Sequence, residues 1–109
     1  MSYPAMTEAH LQREVRRLVA LYGLFEFHVP NSKGCRPGWP DLVIVGTRMI
    51  FRELKKAYEN PSASQRDVGY KLQAAGADWS IWRPLDLESG LIARELEAIR
   101  PPWVVPPSS

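Results

Sequence analysis

The chain has 109 residues, of which 45% are hydrophobic and four are tryptophan, enough for one buried core and too few for two. Fourteen lysines and arginines against 12 aspartates and glutamates leave a net charge of +2, which permits nucleic-acid binding without requiring it. The only cysteine, Cys35, excludes an internal disulfide and a cysteine-based zinc site. No apolar stretch reaches the roughly 18 residues of a membrane span, so we expect a cytoplasmic protein without a membrane partner.

The first elements in the chain are predicted to be a helix and a strand. Residues 7–22 carry apolar side chains at helical spacing, with Thr7 as the predicted N-cap and Gly23 as the predicted stop. Residues 25–29 alternate phenylalanine and valine with polar side chains, which predicts a half-buried strand. His28 is placed on the outward side of that strand by the same alternation.

The remaining elements are predicted to be a hairpin, a helix, a strand and a last helix. Two short runs of high strand propensity, at 42–45 and 49–54, are separated by a glycine-containing turn. Helical spacing resumes over 62–75, WSIW at 79–82 predicts another strand, and 86–99 predicts one final helix.

This order predicts the α/β class, with a small mixed β-sheet flanked by helices. Residues 1–99 are expected to form one domain. The segment 100–109 is rich in proline and serine, so we expect a disordered tail with Trp103 as its candidate anchor. A fold of this class alone indicates no function.

Two carboxylates come together if the hairpin forms as predicted. Asp41 precedes the first strand and Glu53 is near the end of the second, and antiparallel strands run in opposite directions. Carboxylates a few ångströms apart repel one another unless a cation neutralises them. Together with the backbone carbonyl of Leu54 they would form the all-oxygen shell that Mg²⁺ or Mn²⁺ prefers. Such a metal ion can activate a water and withdraw charge from a phosphoryl oxygen.

Lys55 is predicted to lie beside these carboxylates. Side chains alternate along a strand, so Glu53 and Lys55 share one side while Leu54 faces the core. An ammonium group there can orient the attacking water and offset charge that builds on phosphorus. Two alternatives stay open at this point: an exposed salt-bridged pair, or a purely structural salt-bridge cluster in an unrelated α/β protein.

Five short motifs in order resemble the PD-(D/E)xK nuclease superfamily, and the chain is similar to its VRR-NUC (virus-type replication-repair nuclease) branch over about residues 7–87. The motifs are Thr-Glu at 7–8, Gly-Trp-Pro-Asp at 38–41, Glu-Leu-Lys at 53–55, Ser-x-x-Gln at 62–65 and Trp-Arg-Pro at 82–84. The resemblance implies a restriction-endonuclease-like core and metal-dependent hydrolysis of DNA, often at branched, junction or flap structures in replication, repair and recombination. It also implies a homodimer, acting in a bacterial or phage-infected cell.

The resemblance further implies an acidic residue on the first helix and a glutamine on the second. At about 100° per residue, Glu8 lies about 35° and Glu14 about 85° from the centre of the helix's apolar stripe, which favours Glu8. The alternative for Glu8 is a solvated first-turn residue favoured by the helix dipole. Gln65 fits the site position and equally a capping box with Ser62. In the family the second helix usually starts after a glycine-containing loop, whereas the loop at 57–61 has no glycine. This departure weakens the resemblance at Gln65.

Basic and aromatic side chains around this site are candidate DNA contacts. Phosphate contacts without sequence readout are expected from His28, Lys33, Arg36, Arg52 and Lys56. Trp39 is expected to pack over the hairpin, with stacking on an unpaired base as the alternative. The sequence therefore predicts an Mg²⁺- or Mn²⁺-dependent deoxyribonuclease, and a catalytically inactive nucleic-acid-binding or assembly module of the same fold is the alternative.

Overall fold

A computed structural model describes residues 6–28 and 36–102 of the chain. Its helices and strands in chain order are α1 (Glu8–Leu21), β1 (Phe25–His28), β2 (Leu42–Val45), β3 (Met49–Leu54), α2 (Ala63–Ala74), β4 (Asp78–Trp82), α3 (Pro84–Glu88) and α4 (Leu91–Ala98). The α/β order predicted from the sequence is confirmed. The predicted tail from residue 103 onward, with Trp103, lies outside the described residues.

The strands form one mixed sheet in the order β1-β2-β3-β4. The first two pairings are antiparallel and the third, between β3 and β4, is parallel. A parallel pair needs a crossover connection, which α2 supplies. The predicted hairpin is confirmed, with Leu42 opposite Arg52 and Val45 opposite Met49.

The hydrophobic core lies between one face of the sheet and the helices α1 and α4. Its fully or nearly fully buried members include Leu11, Val15, Val19, Leu42, Ile44, Ile50, Leu54, Trp82, Ile92 and Leu96. On the opposite face, α2 packs against β4 so closely that a β-carbon at Gly69 would lie 2.5 Å from the ring of Trp79. The sheet is therefore flanked by helices on both faces, as the sequence predicts.

Helix α1 has the predicted ends. The side chain of Thr7 accepts a hydrogen bond from the backbone N–H of His10 at 3.0 Å, and Gly23 has a φ of 70° just beyond the last turn. The N-terminus of α1 thereby starts at Glu8, a residue of the predicted site. No helix within residues 6–28 and 36–102 is long and apolar enough to span a bilayer.

The prediction that β1 buries its phenylalanines is wrong. Phe25 and Phe27 are 67% and 55% exposed. Glu26, between them, lies on the side of α1, where its carboxylate accepts a hydrogen bond from Nε of Arg16 at 2.6 Å. The helices α1 and α4 cover the side of this edge strand on which Glu26 lies. The predicted alternation of side chains along β1 is therefore correct, but the polar side chains and not the phenylalanines face the helices.

The single helix predicted over 86–99 is also wrong, because the structure divides it into α3 and α4. Gly90 has a φ of 85°, a left-handed conformation that ends α3 and caps the start of α4. Helix α3 begins earlier than predicted, since Pro84 occupies its first turn, where a missing N–H costs nothing. The glycine was the available signal for the break.

Candidate functional site

Asp41 and Glu53 meet at the open end of the hairpin, as predicted. Leu42 of β2 pairs with Arg52 of β3, and the strands are antiparallel. The residue before Leu42, which is Asp41, therefore lies opposite the residue after Arg52, which is Glu53. One carboxylate oxygen of Asp41, Oδ2, accepts a hydrogen bond from the backbone N–H of Leu54 at 2.8 Å. Glu53 is 1% exposed, and the next residue, Leu54, belongs to the core. Both carboxylates are therefore held by the sheet itself.

The segment before Asp41 is fixed by backbone geometry and packing. Gly38 has a φ of 89°, and a β-carbon there would overlap the backbone carbonyl of Ser64. Trp39 packs edge-on against Phe51, with 6.1 Å between ring centroids, so the predicted packing over the hairpin is confirmed. Pro40 is fully buried. The Gly-Trp-Pro motif thus anchors Asp41 against β3 and the start of α2.

Glu53 places a carboxyl group in the interior, and one of its oxygens lacks a partner among the described residues. Burial, together with the neighbouring carboxyl of Asp41, raises the pKa of Glu53 to about 9. The two groups lie within hydrogen-bonding distance, yet ionised carboxylates only accept hydrogen bonds. Oε2 of Glu53 is buried without a hydrogen-bond partner among the described residues. Such an oxygen is costly unless a proton or a cation satisfies it.

These oxygens fit a hard divalent cation. Asp41, Glu53 and the carbonyl of Leu54 would hold Mg²⁺ or Mn²⁺, because Mg²⁺ takes one or two carboxylates and keeps several waters. Within residues 6–28 and 36–102, no three histidine, cysteine, aspartate or glutamate side chains form a metal-binding group. The structure therefore does not assemble the predicted three-carboxylate ligand set that includes Glu8.

Glu8 nevertheless faces this site, whereas Glu14 does not. Burial raises the pKa of Glu8, the charge of Glu59 raises it further, and the charge of Lys55 lowers it. Glu14 lies further along α1 and pairs with Arg17 at 3.4 Å. Of the two candidates on the helix, the structure brings Glu8 to the cluster, and its role as a ligand stays a prediction.

Glu59 belongs to the site and was missed by the sequence predictions. Its carboxyl group lies within hydrogen-bonding distance of that of Glu8. Glu59 is in the loop between β3 and α2, which Arg83 holds by donating from Nη1 to the carbonyls of Lys56 at 2.7 Å and of Glu59 at 2.6 Å. The Trp-Arg-Pro motif was the available signal, because its arginine follows β4 and reaches this loop.

Gln65 forms the capping box and also contacts Glu53, so both positions that its sequence context suggested are occupied, and its part in catalysis stays a prediction. Its Oε1 accepts from the backbone N–H of Ser62 at 2.8 Å, and its own backbone N–H donates to the Ser62 hydroxyl at 3.1 Å, which completes the capping box. Its Nε2 donates to Oε1 of Glu53 at 3.1 Å. The two ends of the amide therefore connect the start of α2 to the carboxylate of β3.

Lys55 continues β3 and is 8% exposed. Its backbone N–H donates to the carbonyl of Trp82 at 3.1 Å, which extends the parallel pairing by one residue. The charge of Lys55 acts on both Glu8 and Glu53. Because Glu53 and Lys55 are both buried, the alternative of an exposed salt-bridged pair is wrong.

The prediction that Arg52 contacts DNA is wrong, because its side chain lies in the interior. Arg52 is 2% exposed and stacks over the ring of Trp82 at 5.1 Å. Its guanidinium donates to the backbone carbonyl of Asp78 at 2.8 Å and to the carboxylate of Glu95 at 3.2 Å. Side-chain alternation places it on the face opposite Glu53, where a phosphate has no access.

The other predicted phosphate contacts lie on the surface or outside the described residues. His28 is exposed at the end of β1, but it lies on the side of Glu26 and of its register partner Leu42, so its predicted placement on the outward side is wrong. Leu42 is one residue from Asp41. Arg36 and Lys56 are exposed as well. Lys33 lies outside the described residues. Contacts of these side chains with DNA stay predictions.

Comparison with known proteins identifies the fold. No family model and no curated protein matches the sequence. A solved structure named "VRR_NUC domain protein" superposes with a TM-score of 0.66 at 20% identity, over 84% of this chain and 89% of that one. A second, named "VRR_NUC domain", has the same TM-score at 21% identity, over 80% of this chain and 96% of that one. The chain has the VRR-NUC fold.

This finding confirms the predicted fold class and the fold expected from the sequence resemblance. In this VRR-NUC fold, the hairpin end, the first turn of α1 and the loop after β3 converge on one cluster. Its titratable members are Glu8, Asp41, Glu53, Lys55 and Glu59. Four carboxyl groups beside one ammonium concentrate negative charge, and carboxylates this close repel one another unless a proton or a cation neutralises them.

Proposed function

We propose that this protein is a deoxyribonuclease that hydrolyses phosphodiester bonds with Mg²⁺ or Mn²⁺ as cofactor. The observation that carries the proposal is the buried Oε2 of Glu53, which lacks a hydrogen-bond partner among the described residues, on a carboxylate next to Asp41. A fold gains no stability from such an oxygen, since an unsatisfied buried polar group costs about 1–3 kcal/mol. A bound divalent cation would offset that cost and would supply the chemistry.

The site residues have complementary parts in the hydrolysis. Asp41, Glu53 and the carbonyl of Leu54 would hold the metal ion, which, when bound, supplies a water of lowered pKa and polarisation of a phosphoryl oxygen. Lys55 orients the attacking water and stabilises the negative charge that develops on the non-bridging oxygens. Glu8, at the first turn of α1, adds a carboxyl group beside Asp41 and Lys55.

Two further residues act by positioning. Gln65 holds Oε1 of Glu53 through its amide, so the other oxygen of that carboxylate keeps one orientation. Arg83 holds the loop that carries Glu59 by hydrogen bonds to backbone carbonyls. Rigid support of this kind is what a metal-assisted reaction requires, because small displacements of ligands lower its rate.

The proposal extends to structure-selective cleavage of branched, flap or junction DNA in replication, repair and recombination, and to a homodimer. The sequence resemblance supports both expectations. A domain of 109 residues has little surface for holding a branched substrate, and a symmetric pair doubles it. We place this activity in the cytoplasm of a bacterial or phage-infected cell.

Cleavage of labelled duplex, flap and four-way-junction DNA tests the proposal. The wild type is compared with Asp41→Ala and Lys55→Ala in Mg²⁺, Mn²⁺ or EDTA. Asp67→Asn is the control, because it removes an exposed carboxylate that pairs with Lys71. We expect metal-dependent cutting that both site substitutions abolish and the control retains. No cutting of any substrate by folded wild type in either metal would refute the proposal.

The alternative, a DNA-binding module without catalysis, is favoured by one observation. The described residues hold no group of three metal-binding side chains. This alternative predicts binding of branched DNA with equal affinity in Mg²⁺ and in EDTA, and no cleavage. Measuring both binding and cleavage of the same labelled substrates therefore distinguishes the nuclease from the binding module.

A further inference from the structure

Three arginines on α1 form a basic surface that the proposed active site does not use. Arg13, Arg16 and Arg17 line a cavity of about 520 Å³ between α1 and β1. The other lining residues are Val19, Ala20, Leu24 and Glu26. We refer to Arg13, Arg16 and Arg17 as the arginine ridge.

The arginine ridge keeps an excess of positive charge after its internal ion pairs are counted. Arg16 donates from Nε to Glu26 at 2.6 Å, and Arg17 pairs with Glu14 at 3.4 Å. Arg13 is exposed. The side chains of Arg16 and Arg17 are 51% and 61% exposed, and a guanidinium has five N–H donors, so each has donors left for a second acceptor.

The helix also sets the distance between the arginine ridge and the active site. Arg13 and Arg17 follow Glu8 by five and nine residues on the same helix. At about 1.5 Å of rise per residue this is about 7.5 Å and 13.5 Å along the axis. One DNA strand rises about 3.4 Å per nucleotide, so the rise along the axis alone equals about two to four nucleotides. At about 100° per residue, Arg13 and Arg17 also lie about 140° and 180° around the helix from Glu8, so a strand that leaves the site has to pass around α1 to reach the arginine ridge.

We propose that the arginine ridge binds the DNA backbone outside the active site, several nucleotides from the phosphate that is cut. Guanidinium groups bind phosphate oxygens with paired hydrogen bonds, and contacts of this kind position DNA without reading its sequence. This inference rests on the proposed function and deepens it, because it assigns the surface that holds the substrate beside the cleavage site. An acidic protein surface is the competing partner.

The test measures DNA binding without cleavage. The full chain carries Asp41→Asn, which blocks cutting and removes one charge that repels phosphate. Affinity for a fluorescent duplex is measured by anisotropy over a range of salt concentrations, with and without Arg13→Ala plus Arg17→Ala. The control pair is Lys71→Ala plus Arg94→Ala, which removes two exposed cations from α2 and α4. Circular dichroism and thermal melting verify that each variant is folded.

We expect the ridge variant to bind a long duplex at least about tenfold more weakly. The slope of log K against log salt is negative, and it should become less steep by about 0.9 for each phosphate that the variant no longer binds. The control pair should bind within about twofold of its parent. On duplexes with only one base pair beyond the cleavage position, the difference between ridge variant and parent should vanish.

The outcomes separate this inference from the proposed function. If the parent binds DNA and the ridge variant has the same affinity and salt slope, the inference is overturned while the nuclease proposal stands. If the parent binds no DNA and the wild type cuts none, the proposed function fails. If the ridge substitutions leave DNA binding intact and change the sedimentation of the protein, the ridge binds protein and the inference is likewise overturned.

Discussion

Arg52 and Glu53 are consecutive buried ionisable residues on β3, and the two faces of the sheet treat them in opposite ways. Arg52 stacks on Trp82 and donates to Asp78 and Glu95. Oε1 of Glu53 accepts a hydrogen bond from Gln65, and Oε2 has no hydrogen-bond partner among the described residues. The guanidinium on the core side is paired with two carboxylates and leaves only Nε without a hydrogen-bond partner among the described residues, whereas Oε2 of Glu53 on the site side stays available to a proton or a cation.

Arg52 therefore contributes to the stability of the fold, whereas burying Glu53 lowers that stability. Removing one member of a buried charge network costs several kcal/mol, because the other members stay behind unpaired. Neutralising a buried charge that lacks a partner releases energy instead. The stability of variants at neighbouring positions should therefore change in opposite directions, and activity should follow the unpaired side.

The largest expected effect is on catalysis at Lys55. Lys55→Ala should lower the rate of DNA cleavage by about 10³-fold, because the ammonium no longer stabilises charge developing on the phosphate. Lys71→Ala removes an exposed lysine on α2 and is the matched control. Single-turnover kinetics with saturating DNA measure the chemical step. A reduction of less than about tenfold would show that Lys55 has no catalytic role.

Arg52→Ala should have the next largest effect, as a decrease of about 3 kcal/mol in the free energy of unfolding. Asp78 and Glu95 lose their shared partner, and the ring of Trp82 loses the guanidinium stacked on it. Urea denaturation measures the change, with Arg94→Ala on the surface of α4 as control. A change as small as that of the control would contradict the structural role of Arg52.

Glu53→Gln should stabilise the metal-free protein at high pH. The pKa of Glu53 rises from 4.5 to about 9 on folding, so between these values the folded state binds the extra proton and stability falls as pH rises. The glutamine keeps Oε1 as the acceptor for Gln65 and cannot ionise. At pH 8, between the two pKa values, we expect Glu53→Gln to be more stable than the wild type, and at pH 4, below both values, equally stable.

Urea denaturation at both pH values in EDTA measures this gain. Glu97→Gln, an exposed residue paired with Arg100, is the control and should leave the pH dependence unchanged. Mn²⁺ should raise the melting temperature of the wild type and not that of Glu53→Gln, because ligand binding stabilises only a state that binds it. Equal stability of wild type and Glu53→Gln at pH 8 would mean that the buried carboxylate is otherwise satisfied.

The smallest expected effect separates the two ends of the Gln65 amide. Gln65→Ala should cost about 1 kcal/mol of stability by removing the capping box, and it should slow cleavage about tenfold through Glu53. Ser62→Ala removes the cap alone, so its stability should fall by a similar amount and its cleavage rate should stay within about twofold of wild type. Equal cleavage rates in both variants would leave Gln65 with capping as its only role.

Local rules predicted the centre of the site. Strand alternation and antiparallel pairing place Asp41 opposite Glu53, and both follow from a few neighbouring residues. The same alternation, applied to Arg52, puts it on the face of Leu54 and would have excluded it as a DNA contact. That error came from considering its charge without its direction.

Other features depend on contacts that a local pattern does not contain. Glu59 reaches the site because Arg83, 24 residues later, holds its loop. Phe25 and Phe27 face outward because the helices cover the other side of the edge strand, a choice that alternation leaves open. Gln65 could not be assigned one role, since the structure uses both ends of its amide.

Arg83 also sets the time at which the site forms during protein synthesis. Asp41, Glu53 and Lys55 leave the ribosome well before Arg83, and domains are made from the N-terminus at about 5–20 residues per second. Until β4 and Arg83 have emerged, the loop with Glu59 lacks the hydrogen bonds from Arg83 and β3 lacks its parallel neighbour. A nascent chain therefore carries an incomplete site, which is completed only when almost all of the domain has been translated.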